Sequence, residues 1–269
     1  MAMPAGRTAV VDGVSGHDGA WPAQTLLGSS GCLSEYVVTD YEQKLQSFYE
    51  SFLAPGMVAA DVGAHAGRHA FEMARLVGPQ GRVHMFEPLP QMQGHLREKV
   101  AADPLLRTAT ILYPYALSNA SGVTEFCVAT DALAYSGIRE RHYDSPTGVE
   151  RIRVEVRRLD DVLASVPALD YIKIDTEGAE WDVLQGAAEL IARFRPVVTF
   201  EFGENSYAPY GVDPARVHAF FAAHGYLIFD ILGRELGQPA FVESSRRQEV
   251  WDYAAVPAAR RALADILRA

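Results

Sequence analysis

From Met57 to Phe202, short apolar runs alternate with stretches of helical periodicity, and this alternation limits the folds open to the chain. MVAADVG (57–63), RVHMFEP (82–88), ATILYPYALS (109–118), DYIKID (170–175) and PVVTFEF (196–202) read as buried strands, the third interrupted by Pro114. Between the first two lies a helix, with Ala66, Ala70, Met73, Ala74 and Val77 on one face. A second helix is expected over 91–101, one with Trp181, Leu184, Ala188 and Ile191 on one side, and one over 213–224 with Asp213 as cap. Strands alternating with helices imply a parallel sheet covered on both faces, an α/β fold. YLIFDIL and EVWDYAAV should close the chain as an antiparallel hairpin joined by a glycine-rich turn rather than a long helix.

VTEFCVA (123–129) and RIRVEVRRL (151–159) alternate in polarity and read as antiparallel additions. They flank a polar insertion, 130–150, longer than most connections and therefore a candidate lid. Residues 1–40 read as an N-terminal arm, loose over its first two dozen residues by composition. The rest, 41–269, reads as one domain opened by an amphipathic stretch over 41–53.

Asp61, Glu87, Asp175 and Glu201 fall at or near the carboxyl ends of expected strands, where open α/β sheets bind ligands. A ring of acids at one mouth suits a ligand with hydroxyls and positive charge, as S-adenosylmethionine has in its ribose, ammonium and sulfonium. In the first turn, DVGAHAG, Gly63 and Gly67 would let backbone approach such a ligand closely. A dinucleotide fingerprint needs a glycine where His65 stands, which counts against a nicotinamide-dependent oxidoreductase, the competing reading. Glu87 stands where an acid can accept both ribose hydroxyl protons. His65 could face the cofactor or cap the turn.

Taken in order, DVGAHAG, FEP (86–88), ALS (116–118), RRLDDVL (157–163), YIKIDTEGAE (171–180) and TFEF (199–202) resemble the FkbM family of S-adenosylmethionine-dependent methyltransferases. The resemblance implies a Rossmann-like class I methyltransferase: a seven-stranded, mostly parallel sheet with an antiparallel last strand and helices on both faces. It places Gly63 and Gly67 beside the amino-acid part of the cofactor, Glu87 on the ribose and Ser118 near the adenine. Where this chain has His65 the family commonly has Asn. The implied activity is O-methylation of a small molecule, a sugar or polyketide-type natural product.

A hydroxyl acceptor is a poor nucleophile, so a base should help. Asp175 and Glu201 are the leading candidates, and His142, in the insertion, could swing in. Asp61 and Asp175 are also candidates for holding the cofactor. Asp175 and Glu201 could share a divalent metal with a third acid, since oxygen ligands suit Mg²⁺ or Ca²⁺, but no dense ligand motif calls for one. A cofactor-binding protein without catalysis is a further alternative. The net charge of −10 argues against nucleic acid and gives no support for docking on an anionic membrane. Cys32 and Cys127, the two cysteines, suggest neither a disulfide framework nor a zinc site, hence a cytoplasmic setting. Self-association is left open.

Overall fold

A computed structural model describes residues 40–143 and 146–268; all of the arm except Asp40 lies outside the described residues. The strands are β1 Val58–Val62, β2 Arg82–Phe86, β3 Thr110–Tyr113, β4 Ala116–Leu117, β5 Gly122–Ala129, β6 Val149–Arg157, β7 Tyr171–Ile174, β8 Val197–Glu201, β9 Tyr226–Asp230 and β10 Asp252–Pro257. The helices are α1 Tyr41–Glu50, α2 Arg68–Val77, α3 Pro90–Ala102, α4 Pro104–Ala109, α5 Leu159–Val162, α6 Glu180–Gly186, α7 Ala188–Phe194, α8 Glu204–Tyr207, α9 Pro214–Ala223 and α10 Gln238–Arg247. The main sheet has seven strands in the order β3-β2-β1-β7-β8-β10-β9. β10 alone runs against the direction of the other six strands. This is the doubly wound α/β sheet expected, with its antiparallel last strand.

Alternate residues of each central strand feed two cores. Val58, Ala60 and Val62 face one with Ile172, Ile174, Val198 and Phe200. Ala59 faces the other with Tyr171, Val197, Met73 and Val77. With both faces of β1 buried, its sequence is a continuous apolar run until Asp61. Burial of this kind stabilises by roughly 25 cal/mol per Å² of apolar surface, which is why one unpaired charge on such a strand demands a partner.

Several elements depart from expectation. A ten-residue helix, α10, separates the last two strands where the sequence suggests a glycine-rich turn, while β10 pairs antiparallel with both β8 and β9, as expected of the last strand. Only Phe241, Ser244 and Ser245 of α10 are buried, so its apolar stripe is too narrow to read. The stretch after β7 breaks into α6 and α7 at Ala187. Helix α4 has no counterpart in the sequence pattern: Asp103 caps it by accepting from Leu105 N at 2.8 Å, with Pro104 at its first position. β4 leaves the main sheet after Pro114 and joins β6 and β5 in a separate three-stranded sheet.

Candidate active site

The turn after β1 is built from three residues with positive φ: Gly63, His65 and Gly67. Asn, Asp and His tolerate this region better than most residues, so His65 suits the turn. At Gly63 (φ 85°) a Cβ would lie 1.8 Å from the carbonyl oxygen of Asp175. At Gly67 (φ 85°) it would meet the Phe71 ring at 2.6 Å and Leu96 at 2.9 Å. Gly63 is therefore required by the protein's own backbone packing as well as by its conformation, whereas Gly67 is favoured by its conformation and crowded by side chains that can shift. Ligand approach, the reason expected from the sequence, is not needed to explain them.

Glu87 ties this turn to the end of β2. One carboxylate oxygen accepts from His65 N and the other from Leu89 N, each at 2.8 Å. Burial raises its pKa to about 7 despite these two N–H donors. The imidazole of His65 has its pKa lowered, chiefly by burial, and its Nε2 is buried without a hydrogen-bond partner. Ser118 lies just beyond β4. Its N–H donates to Arg157 O at 3.0 Å, and its carbonyl would lie 2.1 Å from a Cβ on Gly186, so it packs against α6.

A buried cation organises the centre of the sheet mouth. Lys173, on β7 directly beside Asp61 in register, is 4 % exposed. Its ammonium lies 3.1 Å from Asp175 Oδ2 and 4.0 Å from Asp61 Oδ1. Burial works against the charged lysine, but Asp175, Asp61 and Glu42 outweigh it and hold its pKa well above the ordinary value. Asp61 is fully buried, and its Oδ1 has no hydrogen-bond partner. Such an orphaned buried acceptor is costly unless something donates to it. Glu42, from α1, pairs with His69 of α2, whose Nδ1 meets the Tyr49 hydroxyl at 3.1 Å; this anchors α1 beside the turn.

Asp175, Glu177 and Glu201 form a second group, with carboxylate oxygens all within 4.8 Å of one another. Glu177 sits at φ 56° and is ion-paired with the buried guanidinium of Arg141, from the insertion. Burial, followed by the charges of Asp175 and Glu177, pushes the Glu201 carboxyl well above the carboxylate range. Asp252, across β10 from Glu201, is pushed up to about 8, first by burial and then by Glu42 and Asp175. Glu180 acts within its own loop, where Oε1 accepts from Thr176 N and Oγ1 at 2.9 Å and from Gly178 N at 3.1 Å. This is the helix-start role its position suggests.

Asp61, Gly63, His65, Gly67, Glu87, Asp175 and Glu201 thus all lie at one end of the sheet. His142 is exposed. Its backbone N–H donates to Asn205 O at 3.1 Å, and among the described residues no hydrogen bond or ion pair joins its ring to Asp175 or Glu201. The sequence pattern assigns no site role to Lys173, Arg141 or Glu177. A lysine inside the apolar run YIKI is the one available signal. The Arg141 pairing joins residues 36 positions apart and leaves none.

The methyltransferase FkbM domain model matches residues 61–228, spanning the glycine turn, the Glu87 strand end and the carboxylate group. The chain belongs to the FkbM methyltransferase family. It is 30% identical over 163 residues to the 2-O-methyltransferase NoeI of Sinorhizobium fredii, covering 54% of this chain and 63% of that protein. It is 27% identical over 158 residues to the methyltransferase sdnD of Sordaria araneosa, covering 48% and 60%. The chain therefore spans about three-fifths of the length of these curated relatives. Among solved structures, the methyltransferase FkbM from Methylobacillus flagellatus aligns with a TM-score of 0.46 at 16% identity, over 75% of this chain and 43% of that one.

The residues present fit S-adenosylmethionine, the cofactor of this family. The orphaned Asp61 oxygen offers an acceptor, and Glu87 offers a carboxyl poised between its two protonation states. Asp175, Glu177 and Glu201 are oxygen donors of the type a hard divalent cation takes. The Arg141 guanidinium already supplies positive charge to Glu177, so the geometry offers a metal no separate support.

Proposed function

We propose that the protein is an S-adenosylmethionine-dependent O-methyltransferase whose acceptor is a hydroxyl of a small molecule, a sugar or related natural product. The observation that carries this is the division of one sheet mouth into two acidic halves. Asp61 and Glu87 adjoin the β1 turn, while Asp175 and Glu201 end the neighbouring strands β7 and β8. When bound, the cofactor supplies a methyl group on a positively charged sulfur. In this reading Glu87 accepts from the ribose hydroxyls, Asp61 accepts from a cofactor donor, and Gly63, His65 and Gly67 shape the turn beneath the amino-acid part. Ser118 borders the adenine.

The two acids on the acceptor side have different environments. The Lys173 ammonium, 3.1 Å away, already engages Asp175 Oδ2 in an ion pair, so we assign Asp175 a positioning role. Burial and the charges of Asp175 and Glu177 raise the pKa of the Glu201 carboxyl against the opposing charge of Arg141, which makes its ionised form a stronger base than an ordinary carboxylate. We assign to Glu201 the proton leaving the acceptor hydroxyl oxygen. His142 would have to turn in from the surface to do this.

Ion pairing favours a neutral acceptor over a polyanion: Lys173 and Arg141 are buried and paired with Asp61, Asp175 and Glu177, so neither offers a phosphate backbone a free cation. The relative named 2-O-methyltransferase agrees with an oxygen acceptor. Among the described residues no helix is long and apolar enough to cross a membrane.

The test is transfer of labelled methyl from S-adenosylmethionine to a panel of oligosaccharides and glycosides, with bulk tRNA and rRNA as the competing acceptors. Methylated glycoside with unmodified RNA is the expected result. Labelled RNA and unlabelled glycosides would overturn the acceptor assignment.

A further inference from the structure

The insertion is fastened to the sheet mouth through one buried side chain. Its first described part, 130–143, starts close to β5: Ser136 Oγ accepts from Ala129 N at 3.0 Å, and Cys127 and Gly137 exchange backbone bonds at 2.8 and 3.0 Å. Beyond Gly137 the chain crosses to the loops that follow β7 and β8. Arg139 N donates to the Tyr210 hydroxyl at 2.9 Å, Arg139 Nη1 to Pro209 O at 3.1 Å, and His142 N to Asn205 O at 3.1 Å. Those contacts are exposed or lie on backbone. Arg141 differs: it is 7 % exposed, its guanidinium lies 4.7 Å from the Tyr135 ring centroid, and it ion-pairs with Glu177.

Glu177 is an unusual anchor. It holds a left-handed backbone conformation, which costs a residue with a Cβ about 1–2 kcal/mol and persists only where the surroundings fix it. The next residue, Gly178 (φ 111°), has no room for a Cβ, which would lie 2.1 Å from Ser206 O. The loop is thereby set so that Glu177 points away from solvent, within 4.8 Å of Asp175 and Glu201 and against Arg141.

We propose that Arg141 is a positioning residue: by pairing with Glu177 it latches the insertion across the β7 and β8 ends and takes Glu177 out of the carboxylate group, leaving Asp175 and Glu201 for the acceptor. The second half rests on the acceptor site proposed above; the latch itself does not. Breaking one partner of a buried pair strands the other charge, so the effect should be local and large.

Hydrogen exchange with S-adenosylhomocysteine calorimetry tests the latch without an acceptor. In Arg141→Met, which keeps the packing on Tyr135 and loses the charge, the amides of Gly137, Arg139 and His142 should exchange at least about tenfold faster, with β1 and β7 unchanged. Glu177→Gln should move the same amides in the same direction. Arg141→Lys, which keeps the charge but loses the planar fork against Tyr135, should lose less protection than Arg141→Met, and affinity for S-adenosylhomocysteine should stay within about threefold throughout. Unchanged exchange in Arg141→Met, or equal loss in Arg141→Lys, would overturn the latch. So would a parallel collapse of ligand affinity and protection, which means general loosening. Failure of the glycoside assay would leave these amide results standing.

Discussion

Glu87 offers a prediction in which pH and mutation must agree. Its carboxyl titrates at about 7 in the unliganded protein because it is buried, and each oxygen already accepts one backbone N–H. A ribose hydroxyl donates to the ionised form, so binding selects the deprotonated carboxylate. Affinity should therefore be complete above that pKa and fall as pH drops through it. Between about pH 8 and about pH 6 the ionised fraction falls from roughly 0.9 to roughly 0.1, which weakens binding about tenfold, or about 1.4 kcal/mol. Glu87→Gln should cost about 1.5–3 kcal/mol at the higher pH, the range for a hydrogen bond to a charged group, and should abolish the slope. Burial lowers the His65 pKa, which moves its titration away from that of Glu87. Calorimetric titration of S-adenosylhomocysteine into both proteins at the two pH values is the assay, with circular dichroism to show that the turn survives in the variant. A flat wild-type profile would refute the reasoning. A slope that persists in Glu87→Gln would move the titration to Glu177 or Asp252, both pushed up to about 8.

Other consequences concern packing, chemistry and pH. Gly63→Ala should destabilise far more than Gly67→Ala, because the first Cβ strikes the Asp175 carbonyl and the second strikes movable side chains; about 1–2 kcal/mol is expected for Gly67→Ala, and equal melting shifts would contradict it. With an acceptor in hand, Glu201→Gln should slow single-turnover methyl transfer by roughly 10²–10⁴ at unchanged cofactor affinity, whereas Asp175→Asn should impair cofactor affinity as well; a full rate in Glu201→Gln would remove it as the base. Deleting part of the insertion should reduce turnover far more than S-adenosylmethionine affinity, and equal losses would point to misfolding instead. Carboxyls with raised folded pKa values retain protons that the unfolded chain has released, so ligand-free stability should fall as pH rises from about 5 to about 8. Burial also acts on Glu42, but the hydrogen bond from His69 and the charge of Lys173 prevail and hold its carboxyl down at about 2, so a second loss is expected below about pH 4. A melting temperature that climbs steadily from about pH 5 to about pH 8 would contradict the first statement, and one that stays level below about pH 4 the second.

The sequence carried the parallel core because a strand buried on both faces leaves a mostly apolar run, and β1, β2, β7 and β8 all do despite Asp61, His84 and Lys173 within them. The acids were visible for the same reason: Asp61, Asp175 and Glu201 end such runs abruptly. Elements with thin apolar stripes escaped. Helix α10 rests on one phenylalanine and two serines, and α4 is a single capped turn and a half. Nor could spacing show why Gly63 is a glycine, since the obstructing carbonyl belongs to Asp175, more than a hundred residues away. The pairing of Arg141 with Glu177 and of Lys173 with Asp61 and Asp175 is likewise tertiary. Local pattern shows where charges lie along the chain, but only the folded sheet shows which ones neutralise each other.

The central claim is that the acidic mouth holds S-adenosylmethionine. Titration of S-adenosylmethionine, S-adenosylhomocysteine and NAD into the purified protein by calorimetry tests it most directly. Saturable binding of the first two, with NAD giving no heat of binding, is the predicted result. Binding of NAD with no response to either sulfur nucleoside would contradict the account.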